Sequence, residues 1–461
     1  MRARAAFALL FAGVLAVRLT NAGVVWVEEA YPAAAALQLL RGKALYRDIW
    51  FDKPPLAAYL YTLWGAASGW PLRVAGALFV TLCCWLIYRF AKTLWGEREA
   101  WAAAALLAFY LSFGVPSAVM ALAPDLLMVA PHIAAVWLAA VKRPAWSGAA
   151  AGVAFLLNPK AAFLLPVCVA WYPGGVLWML CGFLLPVALH LAFADSQGAL
   201  ASYWLQVWEW GFTYSARPFA ADPVREGVTR TLSWAGFHAT IAAAAFFGPR
   251  RQTRRVPFAV WVICSLVAVA AGWRFFPRYY FQLLPVVTLL GARGLCTMPR
   301  TCAAALLLPL AIPLVRYGPA YVHLAAGDHS WRDLAMSEDS RRASAELRAQ
   351  THAGDTLLVW GYRPDLYVLT RIPAGTRFLD SQPLTGVLAD RHLARSDVLY
   401  PAIAAHGRAE LVTTDPTFLV DGLGPYNPSL AITRYDDLAP WLQKYRVTAR
   451  TAGCVIYRRI R

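Results

Sequence analysis

Charge is what this sequence has least of. Of its 461 residues only 15% are Asp, Glu, Lys or Arg, where a soluble globular chain carries about 25%. That deficit excludes an ordinary soluble protein for most of the length, and 59% hydrophobic residues with 20 tryptophans point to lipid. Cysteine is also sparse, at eight residues. Cys83, Cys84, Cys168, Cys181 and Cys264 lie inside apolar runs, with no CxxC and no histidine at ligand spacing. They read as small core residues, and no metal constellation is expected. No G-x-x-x-x-G-K-[ST] occurs, which argues against a P-loop ATPase, and without G-x-S-x-G a serine hydrolase has no support.

What the chain does have is a succession of apolar runs from Ala5 to about Val315, after which the composition turns soluble. A span takes about 20 apolar residues. The runs 5–25, 72–93, 100–118, 120–141, 146–158, 160–172, 174–195, 229–247, 257–273, 279–292 and 302–317 predict about eleven. The fold class expected is therefore a polytopic α-helical membrane protein, residues 1–317, with an α/β soluble domain at 318–461. The N-terminal run lacks a convincing A-x-A site and is read as a retained first span.

The net charge of +17 is unevenly placed. Residues 1–317 hold 26 Lys and Arg against 11 Asp and Glu, leaving 17 against 15 in the tail. The excess clusters in "RFAKTLWGERE", "VKRP", "GPRRQTRRVP" and "GARGLCTMPR". That is the positive-inside pattern of cytoplasmic loops rather than a nucleic-acid footprint. Parity then requires an odd number of crossings in 146–195, which favours a break at Asn158-Pro159-Lys160, where proline interrupts the helical ladder. It sets loops 26–71, 196–228 and 274–278, and the whole tail, on the outer side.

Those outer loops hold the chemistry. Glu28 and Glu29 follow the first span, and Lys53 is framed by Asp52 and two prolines that stiffen its placement. Asp125 is the one acid well inside an apolar run, "VMALAPDLLMVAPHIAAVWL". It is expected near the outer end of its helix, level with Glu28 and Glu29; a structural pairing with Arg18 is the bland alternative. Arg274 and Arg278 bracket the start of "RFFPRYYFQLLP". Lysine supplies a compact charge and arginine a bidentate fork, the combination suited to a phosphate. Lys160 falls at an outer turn, with its role open. The stretches Tyr31 to Arg41 and Ser202 to Pro218 read as interfacial helices. His132, His190 and His238 lie singly in apolar spans, as hydrogen-bonded core histidines.

Four of these features, in order, resemble the GT-C glycosyltransferases of the ArnT-like and protein O-mannosyltransferase group. Glu28-Glu29-Ala-Tyr31 stands where that group has an Asp-Glu pair. "LYRDIWFDKPPL" is similar to its "GxLYRDvWxxKPPL" segment, "APDLLMVA" to a later acidic position, and "FPRYYFQLLP" to its "FPHYYLQLLP". The likeness covers about residues 5–317 and departs from the group at two places: the first acid is Glu28 rather than Asp, and Arg278 stands where His is common.

The resemblance implies transfer of a sugar from a polyprenyl-phosphate donor to an acceptor hydroxyl on the extracytoplasmic face of a bacterial cell membrane. It implies Glu28 as general base, with Glu29 holding the base or binding the sugar, and Asp125 positioning hydroxyls. Lys53, Arg274 and Arg278 would take the donor phosphate, and Tyr31, Asp52, Tyr279 and Gln282 would contact substrate. It implies no organic cofactor, leaves a divalent metal open, and makes a lipid, glycan or protein the acceptor partner. The alternatives are a polyprenyl-linked sugar transporter or flippase, which would need repeat symmetry, and a non-catalytic scaffold.

In the tail, "DTLLVWG", "AELVTTD" and "CVIYRRI" predict strands and "SEDSRRASAELRAQ" a serine-capped helix. No catalytic motif stands out there, and the tail is expected to be an acceptor-binding or structural cap.

Overall fold

The computed structural model describes residues 2–247 and 254–460, so most of the basic loop "GPRRQTRRVP" lies outside the described residues. Helix α1 (Arg2–Leu19) leads into a loop that carries α2 (Val27–Leu39) and α3 (Leu56–Thr62), followed by α4 (Trp70–Leu94) and α5 (Glu97–Tyr110). α4 packs on both α1 and α5. Three described helical stretches are long and apolar enough to cross a membrane alone: Trp70–Leu94, Pro173–Ser196 and Arg300–Ala325. Pro124–Ala140, Pro159–Trp171, Arg255–Ala270 and Leu284–Thr297 are shorter apolar stretches. Leu177, Trp178, Leu184, Leu185 and Leu189 of the second span are exposed, as a lipid-facing surface requires.

The break at Asn158 is present. One helix (Pro144–Phe155) ends before it, Asn158 Oδ1 accepts from the Lys160 amide at 3.0 Å, and a 3₁₀ turn (Pro159–Phe163) begins the next. The helix before the break lies so close to Val176–Ser196 that a Cβ at Gly148 or Gly182 would overlap the facing backbone. Small residues at that crossing let the two backbones meet.

Several expected boundaries differ. The run 100–118 stops being helical at Tyr110, ahead of Gly114 and Pro116, and 229–247 is two helices, Pro223–Phe237 and Ala239–Phe247. The stretch from Tyr31 does not lie along an interface. In α2, Glu29 through Gln38 are all buried, packed against α3 and against the helix Asp365–Thr370 of the C-terminal domain. The last apolar helix runs on to Ala325, past the 317/318 boundary read from composition.

The tail forms a four-stranded sheet in the order β1-β2-β4-β3: β1 (Leu357–Trp360), β2 (Phe418–Asp421), β3 (Tyr445–Arg450) and β4 (Val455–Arg459). β1 and β2 are parallel and fully buried, while β4 runs antiparallel to its two neighbours. "AELVTTD" is not a strand. Its first residues close a helix, Pro401–Leu411, whose buried Ala404, Gly407 and Leu411 follow the helical period. Nor is the helix Ala335–Gln350 capped by serine, since it continues from a 3₁₀ turn and Ser337 lies inside it.

The sheet domain is docked firmly on the segments 26–71 and 196–228. Trp50 N donates to Arg377 O at 2.8 Å, Lys43 Nζ to Ala374 O at 3.0 Å, and Arg377 Nη2 to Tyr46 O at 2.7 Å. Tyr400 stacks on Trp210 at 3.9 Å and donates to its carbonyl at 2.7 Å.

Candidate functional site

Segments from five parts of the chain (within 27–54, 117–125, 157–160, 207–215 and 271–279) and the sheet domain close around a cavity of about 600 Å³. Glu28 enters it from the first turn of α2, Asp125 from the first turn of a short helix (Pro124–Leu127), and Arg278 from a 3₁₀ turn (Pro277–Gln282). Arg278 joins the two acids: Nη1 lies 3.1 Å from Glu28 Oε1 and Nε 3.3 Å from Asp125 Oδ2. The free Asp125 oxygen accepts from Asn158 Nδ2 at 2.8 Å. Asp125 therefore does not pair with Arg18, whose guanidinium is spent on the carbonyls of Val119 and Met120.

Glu28 keeps Oε2 buried and without a hydrogen-bond partner. Burial pushes its carboxyl above the ordinary glutamate range, against the opposing pull of Arg278. A carboxylate with one oriented oxygen and one free has what a general base needs.

The cations line the same space. Lys53 Nζ pairs with Asp52 Oδ2 at 2.8 Å, leaving Asp52 Oδ1 buried and unpartnered. Lys160 Nζ sits 3.4 Å from the Tyr279 ring centroid and has no hydrogen-bond partner among the described residues. Arg274 is held hardest. Nε meets Asp390 Oδ2 at 2.7 Å, Nη1 donates to Gly272 O at 2.8 Å and Nη2 to Tyr214 O at 2.9 Å, with the guanidinium 3.5 Å over the Tyr214 ring. Its loop is strained to do this. Trp273 and Phe275 on either side are left-handed, at φ 52° and 49°, a conformation costing bulky residues about 1–2 kcal/mol each. Tyr46 of the "LYRD" segment is left-handed too, at φ 68°.

Four acids (Glu28, Asp52, Asp125, Asp390) face four cations (Lys53, Lys160, Arg274, Arg278) around the cavity. Acidic and basic side chains are thus equal in number around the cavity. No group of three or more His, Cys, Asp or Glu among the described residues is placed to hold a metal.

Of the residues singled out in the sequence, Glu28, Asp52, Lys53, Asp125, Arg274, Arg278 and Tyr279 line the cavity. Glu29, Tyr31 and Gln282 do not. Glu29 is fully buried behind Glu28, bound by Arg73 at 2.5 and 3.2 Å and by the amides of Trp26 at 3.1 Å and Leu122 at 3.0 Å. With both oxygens committed, it anchors the start of α2 and has none left for a sugar. Tyr31 OH donates to Trp50 O at 3.2 Å, behind Asp52, and Gln282 turns to Met128 Sδ at 2.9 Å.

Sequence reasoning missed Asn158, Tyr214, Tyr362, Gln382 and Asp390, all of which line the cavity. The last three come from the sheet domain, where nothing in the local sequence marks them. Asn158 and Lys160 had a signal in the proline break, which turns both into the cleft. His132 and His238 are buried, His132 accepting from Trp261 Nε1 at 2.9 Å.

Residues 52–191 match the dolichyl-phosphate-mannose-protein mannosyltransferase family. Among solved structures, ArnT from Cupriavidus metallidurans bound to undecaprenyl phosphate superposes with a TM-score of 0.64 at 16% identity, covering 98% of each chain. The same protein in the apo state gives 0.62 at 15% identity, covering 99% of this chain and 98% of the other. No curated protein matches by sequence alone. Over its full length this chain therefore has the fold seen in ArnT, and residues 52–191 carry the likeness to the mannosyltransferase family.

Proposed function

We propose that the chain is a glycosyltransferase that moves a sugar from a polyprenyl-phosphate donor to an acceptor hydroxyl, in the cavity of Glu28, Asp125 and Arg278, on the extracytoplasmic face. The observation that carries this reading is the Arg278 bridge: one cation holds two carboxylates in a cavity that also contains Lys53, Lys160 and Arg274. The undecaprenyl phosphate named with the ArnT structure supports a lipid-phosphate donor.

In this mechanism the acceptor oxygen attacks the anomeric carbon and gives its proton to Glu28. The bond from that carbon to the phosphate oxygen breaks, and the electron pair leaves on the lipid phosphate. Charge grows on the leaving phosphate, where fixed cations lower the barrier most. Lys53, whose ammonium has a single carboxylate partner, and Lys160, which has no hydrogen-bonding partner, are the freest to meet it. Arg278 turns from the carboxylates toward the phosphate as donor binds, so arrival of the donor releases Glu28 for proton transfer. Asp125, fixed by Asn158, orients sugar or acceptor hydroxyls.

The test is transfer from a polyprenyl-phosphate sugar by purified protein, with Lys53→Ala and Lys160→Ala beside the parent. Both variants are expected to raise the donor KM. Effects confined to the acceptor KM would refute the phosphate assignment.

A further inference from the structure

A second cavity, of about 870 Å³, opens between the first turns of α1 and the last turns of α4. It lies at the far end of the bundle from the candidate active site. Arg73, which grips Glu29, and Arg89 are separated along α4 by about 24 Å at 1.5 Å per residue. The lining changes character along that axis. Phe7, Leu78 and Leu82 form the inner end, and Arg4, Arg89 and Lys92 the outer rim. Trp85 and Tyr88 stand between, at the level aromatic side chains take at a membrane interface.

Two of the three rim cations lack an acidic partner. Among the described residues neither Arg4 nor Arg89 has a carboxylate partner, whereas Lys92 is paired with Glu97, which also takes the Tyr88 hydroxyl. Arg89 is held by rings alone, 5.4 Å from the Trp85 centroid and 5.3 Å from that of Trp137. An arginine stacked in this way presents its donors outward, ready for a planar or tetrahedral oxyanion. An apolar trough that ends in two free guanidinium groups matches an acyl chain that ends in a phosphate.

We propose that this cavity is a binding site for a phospholipid with a net negative headgroup, the acyl chain along Leu78 and Leu82 and the phosphate between Arg4 and Arg89. Basic pockets between membrane helices take such headgroups on the cytoplasmic side, and the clustered positive charge places this end of the bundle there. The site is independent of the proposed sugar transfer.

The test is native mass spectrometry of the full chain released from micelles containing phosphatidylglycerol or phosphatidylcholine. The parent is expected to retain phosphatidylglycerol preferentially. Arg4→Gln with Arg89→Gln should weaken retention by about 30-fold, from roughly fivefold per cation near a membrane surface. Lys142→Gln with Arg143→Gln removes the same charge outside the cavity and should leave the preference intact. Arg4→Gln alone, at an exposed first-turn position, gives a variant whose folding is not at risk. Equal retention of the two lipids by the parent, or equal loss in the Lys142/Arg143 control, overturns the proposal.

Discussion

Glu28 and Arg278 depart together from the pattern of the group this chain resembles, which has Asp and, commonly, His at these places. In the structure they touch, at 3.1 Å. The longer acid reaches the longer cation, so each departure makes sense of the other. Glu28→Asp alone is expected to lower kcat by about 100-fold, the effect of moving a reacting group by roughly 1 Å. Arg278→His alone should impair transfer as well, and the double variant should recover part of the loss. A double-mutant cycle on kcat/KM checks this, with simple additivity as the contrary result.

The raised carboxyl of Glu28 gives the acid limb of the pH profile a sign. A base works deprotonated, so activity falls as pH drops through a value above the ordinary glutamate range. Glu28→Gln should abolish that limb. Glu29, one residue away, predicts a different phenotype. Glu29→Gln leaves Arg73 buried without its partner, which costs about 3–5 kcal/mol of stability. It should lower the unfolding midpoint strongly, whereas Glu28→Gln should hardly change it. Adjacent identical letters hid this division. Sequence spacing told that two acids follow the first span, but only the turn of α2 shows which of them faces the cavity.

At the scale of elements, the break at Asn158-Pro159 was legible because proline cannot extend a helical ladder. Interfacial burial was not. α2 looked like a surface helix, but α3 and the docked domain together bury it. "AELVTTD", the end of the Pro401–Leu411 helix with the turn after it, read as a strand because a short apolar run carries no period of its own. The close crossing of Pro144–Phe155 on Val176–Ser196 yields a prediction at this scale. Gly182→Leu drives a side chain into the facing backbone at Ala145, and overpacking of this kind costs about 1–3 kcal/mol or more. The helix beyond the crossing leads into the helical stretch 200–216 that brings Trp208 and Tyr214 to the cavity. Thermal unfolding in detergent should therefore show a lower midpoint, with residual activity reduced in step.

On the scale of the whole molecule, the sheet domain is part of the site. It contributes Tyr362, Gln382 and Asp390 to the cavity, and Asp390 fixes Arg274 from above. None of this was readable from the tail, since contacts between distant segments leave no local pattern. Behind the cavity, Asp380 lies buried near Asp52, and burial first, then the charge of Asp52, pushes its carboxyl up to about 7. A raised folded-state value makes the protonated form the stable one. The contribution is complete below the ordinary aspartate range and is lost as pH rises through about 7, amounting to about 4 kcal/mol at most. Asp380→Asn should remove it, so the variant's unfolding midpoint should fall less than the parent's between pH 5 and 8.

The central claim, that Glu28 takes the acceptor proton in a lipid-phosphate sugar transfer, rests on one comparison. Purified parent protein and Glu28→Gln, matched for thermal midpoint, would be assayed at saturating polyprenyl-phosphate sugar and acceptor for sugar transferred per enzyme. The predicted result is turnover by the parent and a loss of about 10²–10⁴-fold in kcat for the variant, with the donor KM changed little. Undiminished turnover by Glu28→Gln would contradict the account.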